Sequence, residues 1–248
     1  MILLKSLQEI AKMEMANRIV AEVLEGVKES VQVGIETQDL DDLAEEMCRR
    51  RKVKPAFKGY RGYPRSICVS VNEEVVHGIP GSRRLNDGDL VSLDFGVQYD
   101  GYFGDAAITV PVGKVDPQAL ALMEATEKSL YAGIAMVKTG NRLSDISHAV
   151  QVVVEEAGFG VIRDFVGHGI GRSLHEDPQI PNFGLPGRGP ALQVGMTLAI
   201  EPMTSLGSWR VRILKDGWTA VTQDGSYAAH FEHSVALTEN GVLILSRL

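Results

Sequence analysis

Three features of the sequence predict an α+β fold. Apolar residues recur at helical spacing over residues 3–33, and residues 89–110 alternate with a period of two about a central Asp-Gly. Residues 161–237 break into short apolar segments between Gly- and Pro-containing loops. Helices and mostly antiparallel strands therefore fall into two comparable blocks. No stretch between them is rich enough in Pro, Gly or Ser to act as a linker, and no short repeat is visible, so residues 1–248 are expected to form a single domain.

The first helix carries Leu7, Ile10, Met13, Ala16, Val20, Val23, Leu24 and Val27 on one face. Thr37 is placed to cap a second helix with Leu40, Leu43, Ala44 and Met47 inward. Gly59 to Pro64 reads as a turn-rich loop and Ser66 to Val71 as a strand. In the segment from Asp89 to Tyr99, Val91, Leu93, Phe95 and Val97 point one way while Ser92, Asp94, Gly96 and Gln98 point the other. Asp100-Gly101 is a hairpin turn, and Tyr102 to Val110 returns as its partner strand. Asp116-Pro117 opens a third helix as N-cap and N1, and Ser144 is expected to cap a fourth that ends at Gly158. Short strands are expected over 161–165, 196–200, 209–214, 219–223 and 229–237.

Composition removes several functional classes. Hydrophobic residues make up 44% of the chain, enough for a sizeable core. The formal charge of −7 argues against sequence-independent nucleic-acid binding, which needs a basic face. The one basic run, Arg49 to Lys54, reads as a helix C-terminus that complements the macrodipole, with a small docking patch for RNA or ribosome as the alternative. Two cysteines, Cys48 and Cys68, are too few for a disulfide framework and are spaced unlike a zinc site. No segment approaches the roughly twenty apolar residues of a membrane span, and the cytoplasm is the expected compartment.

The chemistry is concentrated in scattered acids and histidines. If Asp100-Gly101 is a two-residue turn, Tyr99 faces Tyr102 and Asp105 faces Gly96. Asp94 is then the diagonal neighbour of Asp105 on the same face, about 7–8 Å away at the backbone, so the two carboxylates can converge on one ion or bracket two. Two facing acids repel each other, and a divalent cation relieves the repulsion. His168 lies in Gly167-His168-Gly169-Ile170-Gly171, which lacks the spacing of a phosphate-binding loop. His175 follows, just before Asp177-Pro178, which reads as a turn. Glu201 ends an apolar strand, where an unpaired carboxylate is costly to bury. Glu232 sits in a later strand with His230 on its face and His233 on the other, whereas His148 falls within a helix as a surface or packing residue. Four carboxylates and an imidazole suit divalent cations and hydrolytic chemistry.

These same segments carry a resemblance. Asn72 to Pro80 (NEEVVHGIP), the Asp94/Asp105 hairpin, the Gly-flanked His168, Ile200-Glu201-Pro202-Met203 and Phe231-Glu232-His233-Ser234 are similar to the successive motifs of methionine aminopeptidases, over essentially the whole chain. The resemblance implies the pita-bread fold, two pseudo-symmetric α+β halves around a central antiparallel sheet with the site in its cleft. The short interval from Glu201 to Glu232 and the lack of a Cys-rich extension resemble the bacterial type I branch.

The resemblance further implies two divalent ions (Co, Mn, Fe or Zn), with Asp94 on the first, Asp105 and Glu232 bridging, and His168 and Glu201 completing the second. A water between the ions would attack the carbonyl of the first residue, with Glu201 as proton shuttle, His175 on the oxyanion and His77 on the scissile amide. By position Tyr60, Tyr63, Cys68 and Trp218 would wall the methionine pocket. Leu174 stands before His175 where many relatives have Phe, and Val76 before His77 where Cys is common. The expected substrates are nascent polypeptides with an N-terminal Met and a small second residue; the expected state is a monomer, off the membrane, with transient ribosome contact. Two other readings are a peptidase acting on X-Pro bonds and a pita-bread protein that binds without catalysis.

Overall fold

The computed structural model describes residues 1–247. Four α-helices, α1 (Leu7–Glu29), α2 (Thr37–Arg51), α3 (Pro117–Ala135) and α4 (Leu143–Glu156), accompany fifteen strands among the described residues. The strands are β1 (Lys54–Pro55), β2 (Ile67–Val71), β3 (Glu74–Val76), β4 (Leu90–Tyr99), β5 (Tyr102–Pro111), β6 (Gly160–Val161), β7 (Gly167–Gly169) and β8 (Glu176–Ile180), followed by β9 (Thr197–Ile200), β10 (Met203–Ser205), β11 (Val211–Ile213), β12 (Ala220–Thr222), β13 (Ala228–His230), β14 (Glu232–Thr238) and β15 (Gly241–Ile244). All pairings are antiparallel. The main sheet runs β1-β4-β5-β14-β9-β7-β8, with β2 also on β4 and β15 also on β14; two three-stranded sheets, β13-β10-β6 and β11-β12-β3, flank it.

Each half of the main sheet is covered by a helix pair. The apolar face of α1 packs with α2 on β2, β4 and β5, where Val91, Leu93, Phe95 and Val97 are fully buried, as their alternation requires. On the other half, Leu130 and Ile134 of α3 and Ile146 of α4 pack on Leu198, Ile200 and Val235 of β9 and β14. Burial of the helix-facing residues leaves the opposite face of the sheet to line a cleft. This is the α+β arrangement the sequence predicts.

Local starts differ from expectation where a hydroxyl has another task. Ser6 caps α1 in a reciprocal box with Glu9, while Leu7, in the first turn, stays 73% exposed rather than joining the apolar stripe. Thr37 does not cap α2, because its hydroxyl both donates to Gly81 O and accepts from Gly81 N. Glu36 takes the cap position, and its N–H is closed by Asp39. Likewise Ser144 accepts from Arg188 N across a loop, and α4 begins two residues earlier, after Arg142, whose N–H bonds Asp145 at 2.7 Å. Asp116 and Pro117 behave as expected, with the carboxylate accepting from Gln118 N. The basic run is the end of α2: Arg49 and Arg50 pair with Glu46, Arg51 pairs with Glu22, and Lys52 closes the helix at φ 56°.

Three further expectations are corrected. Asp177-Pro178 lies inside β8 rather than in a turn. Since β8 is the edge of the main sheet, the missing proline N–H costs no ladder bond. The segment 229–237 is two strands, because the chain leaves the β10 ladder at His230 and joins β5 and β9 from Glu232 onward, with Phe231 buried between. The segment 161–165 is strand only at Gly160–Val161.

The hairpin register is the one derived from the turn. Tyr99 pairs with Tyr102 and Gly96 with Asp105, while Asp94 faces Ala107. Gly104 lets α1 approach: a Cβ there would meet Ala16 C and Asn17 N at 2.8 Å, both backbone atoms that cannot yield cheaply. Gly104→Ala is therefore expected to destabilise the fold by about 1–3 kcal/mol through overpacking, read as a lower denaturant midpoint at unchanged m-value.

Candidate active site

The cleft holds a cavity of about 130 Å³. Every residue singled out for chemistry lines it: Asp94, Asp105, His168, Glu201 and Glu232, then His77 and His175, then Tyr60, Tyr63, Cys68, Leu174 and Trp218. Residues from β2, β4, β5, β7, β14 and the ends of β3, β8 and β9 thus converge from across the sheet. Phe57 and Arg61 line it as well.

Asp105 is held at both of its backbone groups. Its N–H donates to Asn17 Oδ1 of α1 at 3.2 Å, and its carbonyl accepts from Ser234 Oγ of β14 at 2.8 Å. Asn17 is fully buried and anchored by its own bond to Met13 O. Sequence reading passed it over, although a polar residue interrupting the apolar stripe of α1 was the available signal. Thr109 of β5 gives its hydroxyl proton to His230 O (2.6 Å) and accepts from His230 N (3.0 Å). Ser92 therefore donates to Thr109 across the ladder, at 2.9 Å. These bonds fix the chain just before Glu232.

The ligand atoms crowd together. One oxygen each of Asp105 and Glu232 and one nitrogen of His168 lie within 4.8 Å of one another. His168 Nε2 is 3.4 Å from Glu201 Oε1 and 4.0 Å from Asp105 Oδ2. His168 Nδ1 donates to Gly169 O at 2.9 Å. Burial pushes the imidazole down to about 4, so it is neutral near pH 7 and Nε2 presents a bare lone pair to two carboxylates. The second-nitrogen bond to a backbone carbonyl is the support that metal-ligating histidines use.

The acids are in the converse state. Burial raises Asp94 to about 7. Asp105, Glu201 and Glu232 are pushed well above the carboxylate range, by burial first and then by neighbouring acids: Asp94 on all three, Glu201 also on Asp105, and Asp105 and Glu201 also on Glu232. Among the described residues, Asp94 Oδ1, Asp105 Oδ1 and Glu232 Oε1 are buried without any hydrogen-bond partner. Among the described residues Arg61, at the exposed rim, is the one fixed cation lining the cavity. Ionised together, these oxygens would face one another with no protein donor between them, a repulsion that a divalent cation relieves, so the residues present fit a metal centre.

The histidines around this cluster divide by contact. His175, at the cavity mouth, stacks on Tyr60 with ring centroids 5.3 Å apart and meets the Tyr60 hydroxyl through Nδ1 at 2.9 Å. Its pKa is lowered by burial and then by His168, whose ring lies 4.2 Å away. His77 is held edge-on by Phe165 and Trp218 and has φ 61°, in the left-handed region; burial lowers its pKa. His230 is 1% exposed, with Nε2 3.8 Å from Glu201 Oε2 and no hydrogen-bond partner at either nitrogen among the described residues, so it belongs beside the acidic cluster. His233 points the other way, to Ser246 and Tyr131, and His148 bonds Gly184 O far from the cleft chemistry.

Known proteins are similar to this chain over its whole length. The model of metallopeptidase family M24 matches residues 11–239. Methionine aminopeptidase 1 of Bacillus subtilis is 52% identical over 248 residues, covering all of both chains. The crystal structure of methionine aminopeptidase from Thermotoga maritima superposes with a TM-score of 0.98 at 52% identity, again covering both chains completely. Prolidase from Pyrococcus furiosus, at 22% identity and TM-score 0.81 over 99% of this chain and 65% of its own, shares the pita-bread fold alone. With a metal-ready cleft and a full-length match to these enzymes, the chain belongs to the methionine aminopeptidases of metallopeptidase family M24.

Proposed function

We propose that this metal-dependent aminopeptidase removes N-terminal methionine with two divalent ions in the cleft and prefers a small second residue. The reading is carried by one observation: four carboxylates and a bare imidazole nitrogen converge without counter-cations beneath two further histidines and an aromatic wall. Asp94, Asp105, His168, Glu201 and Glu232 would hold the ions. Four ionised carboxylates match the charge of two divalent cations, which supports two rather than one. When bound, such ions supply Lewis-acid polarisation of the scissile carbonyl and a water acidic enough to act near neutral pH.

The protein groups do the rest. Glu201, whose proton affinity is raised, takes a proton during attack and returns it to the leaving amine. His230, 3.8 Å from its second oxygen, limits how that carboxylate can turn. Tyr60 O–H donating to His175 Nδ1 holds the neutral imidazole in the Nε2–H tautomer, which donates to the developing oxyanion. His77 meets the scissile amide. The thioether of the bound methionine packs on Tyr60, Tyr63, Cys68, Leu174, Trp218 and Phe57, since sulfur favours aromatic edges. The small cavity supports a small second residue.

The test is hydrolysis of Met-Ala-Ser by metal-stripped protein, before and after titration with Mn, Co or Fe(II). Metal-dependent release of free methionine is expected, with two equivalents bound at saturation. No release with any metal, or turnover of Ala-Pro in place of Met-Ala and Met-Gly, would overturn the reading. Glu201→Gln is expected to lower kcat by about 100-fold or more with metal still bound, the range of general acid–base catalysis. Full occupancy with full activity would exclude the proton-shuttle role.

A further inference from the structure

The loop Gly59–Tyr63 places one cation at the mouth of the cavity. Arg61 is exposed yet lines the cavity, and among the described residues its guanidinium takes part in no ion pair. Arg142, Arg163, Arg188, Arg210 and Arg212 are likewise in no ion pair among the described residues, so what sets Arg61 apart is an unpaired charge placed at the cavity. The guanidinium rests over the Tyr60 ring at 5.4 Å from its centroid, a cation–π contact that holds the charge in place. Arg61 also adopts φ 49°, ψ 21°, between Gly59 at φ 87° and Gly62 at φ 91°. A left-handed conformation at a non-glycine residue costs roughly 1–2 kcal/mol, and such outliers gather where a side chain has to be aimed. A third glycine would relieve the strain but remove the charge.

We infer that Arg61 is a specificity-determining residue that selects substrates with an acidic side chain two or three residues beyond the scissile bond. The inference rests on the reading that the methionine side chain is buried at the aromatic wall with the scissile carbonyl at His175; the remainder of the peptide then leaves through the mouth. His175 and Arg61 contact the same ring, His175 with centroids 5.3 Å apart and Arg61 at 5.4 Å. Taken in series, these distances put the guanidinium no more than about 11 Å from the His175 ring. An extended chain advances roughly 3.3–3.6 Å per residue, so the third and fourth residues of the substrate pass within reach of the guanidinium. The fork of N–H donors suits a carboxylate, which Arg binds with two parallel hydrogen bonds. The cluster of acids lies deeper and its charge would be offset by the ions it would hold, so Arg61 is the charge the emerging chain meets first.

The experiment compares Met-Ala-Xaa-Ser amides with Xaa as Glu, Gln or Lys, so that no terminal carboxylate competes. In the Mn-loaded enzyme at low salt, kcat/KM for Glu over Lys is expected to be about 3- to 10-fold, from attraction in one case and repulsion in the other. The preference should shrink in 0.5 M NaCl. Arg61→Gln should bring the ratio to near unity, and Arg61→Glu should invert it. Calorimetric binding of the same amides to metal-free protein supplies a readout that does not require turnover. The Glu preference should persist there and follow Arg61 in the same way, even if the assignment of the catalytic groups were wrong. A Glu-to-Lys ratio unchanged between wild type, Arg61→Gln and Arg61→Glu, in both readouts, overturns the inference.

Discussion

Asp105→Ala is expected to abolish metal-dependent methionine release, lowering kcat/KM by at least on the order of a thousandfold, which corresponds to about 4 kcal/mol of transition-state stabilisation. Asp105 is the most constrained of the acids. Its backbone is pinned by Asn17 and Ser234, its side chain shares a 4.8 Å cluster with His168 and Glu232, and Oδ1 has no hydrogen-bond partner among the described residues. Deleting it removes the acid placed centrally between the others. Loss of a group that merely supports a metal ligand typically costs 10- to 100-fold, so loss of a ligand itself should exceed that. The same change should stabilise the metal-free protein, because a buried carboxylate repelled by Asp94 and Glu201 is gone. The combination of lost activity, lost Mn affinity by calorimetry and a raised melting temperature in chelator separates a ligand from a scaffold residue. A scaffold residue would lose activity and stability together. Substantial activity with Mn affinity intact would remove Asp105 from the metal set.

The residues that were legible in the sequence are those whose placement follows from local geometry. A two-residue Asp100-Gly101 turn leaves no freedom in register, so the Gly96–Asp105 pairing and the shared face of Asp94 followed from counting. Alternation over β4 told which face was buried, and hence which face lined the cleft. Helix caps were less legible. Thr37 and Ser144 are good capping residues by type, but each hydroxyl is engaged by a loop some forty residues away, Gly81 and Arg188 respectively. The strand break at Phe231 was hidden because alternation continues through it, and only the change of ladder partner marks it. His230 and Asn17 were undervalued for the same reason. Their roles come from neighbours on other elements, Glu201 on β9's end and Asp105 on β5, which no spacing within one segment encodes. Arg61 sat in a loop read only as a turn; its importance lies in a positive φ and an unpaired charge at the cavity mouth, both tertiary facts.

The metal-free protein is expected to lose stability as pH rises from about 7 to 9, and bound metal is expected to abolish that slope. Two sets of shifted groups act with opposite sign. His168 and His233 are lowered to about 4 and His230 to about 3, chiefly by burial, with His77 and His175 lowered too. The unfolded chain binds those protons below about 6.5, so the histidines make stability rise with pH up to that point and contribute nothing beyond it. The acids are raised, Asp94 to about 7 and Asp105, Glu201 and Glu232 well above their ordinary value. The unfolded chain releases these protons near pH 4, whereas the folded cluster retains them, so stability falls with pH until the folded groups ionise. Between about 4 and 6.5 the two sets offset; above 6.5 only the acids remain. Each proton the folded cluster retains costs about 1.4 kcal/mol per pH unit, roughly 3–6 °C in melting temperature for a chain of this size. Cys48 and Cys68, also raised by burial, add to the slope only above about pH 9. Divalent cations replace the protons and bind more tightly as pH rises, so Mn at a fixed concentration a thousand times its Kd at pH 7 should add about 4 kcal/mol there, more at higher pH, and flatten the profile. Melts in chelator and in Mn across pH 6 to 9 test this directly. A flat chelator profile above pH 7 would mean that four acids ionise together without cost, which their burial and lack of counter-charge do not allow.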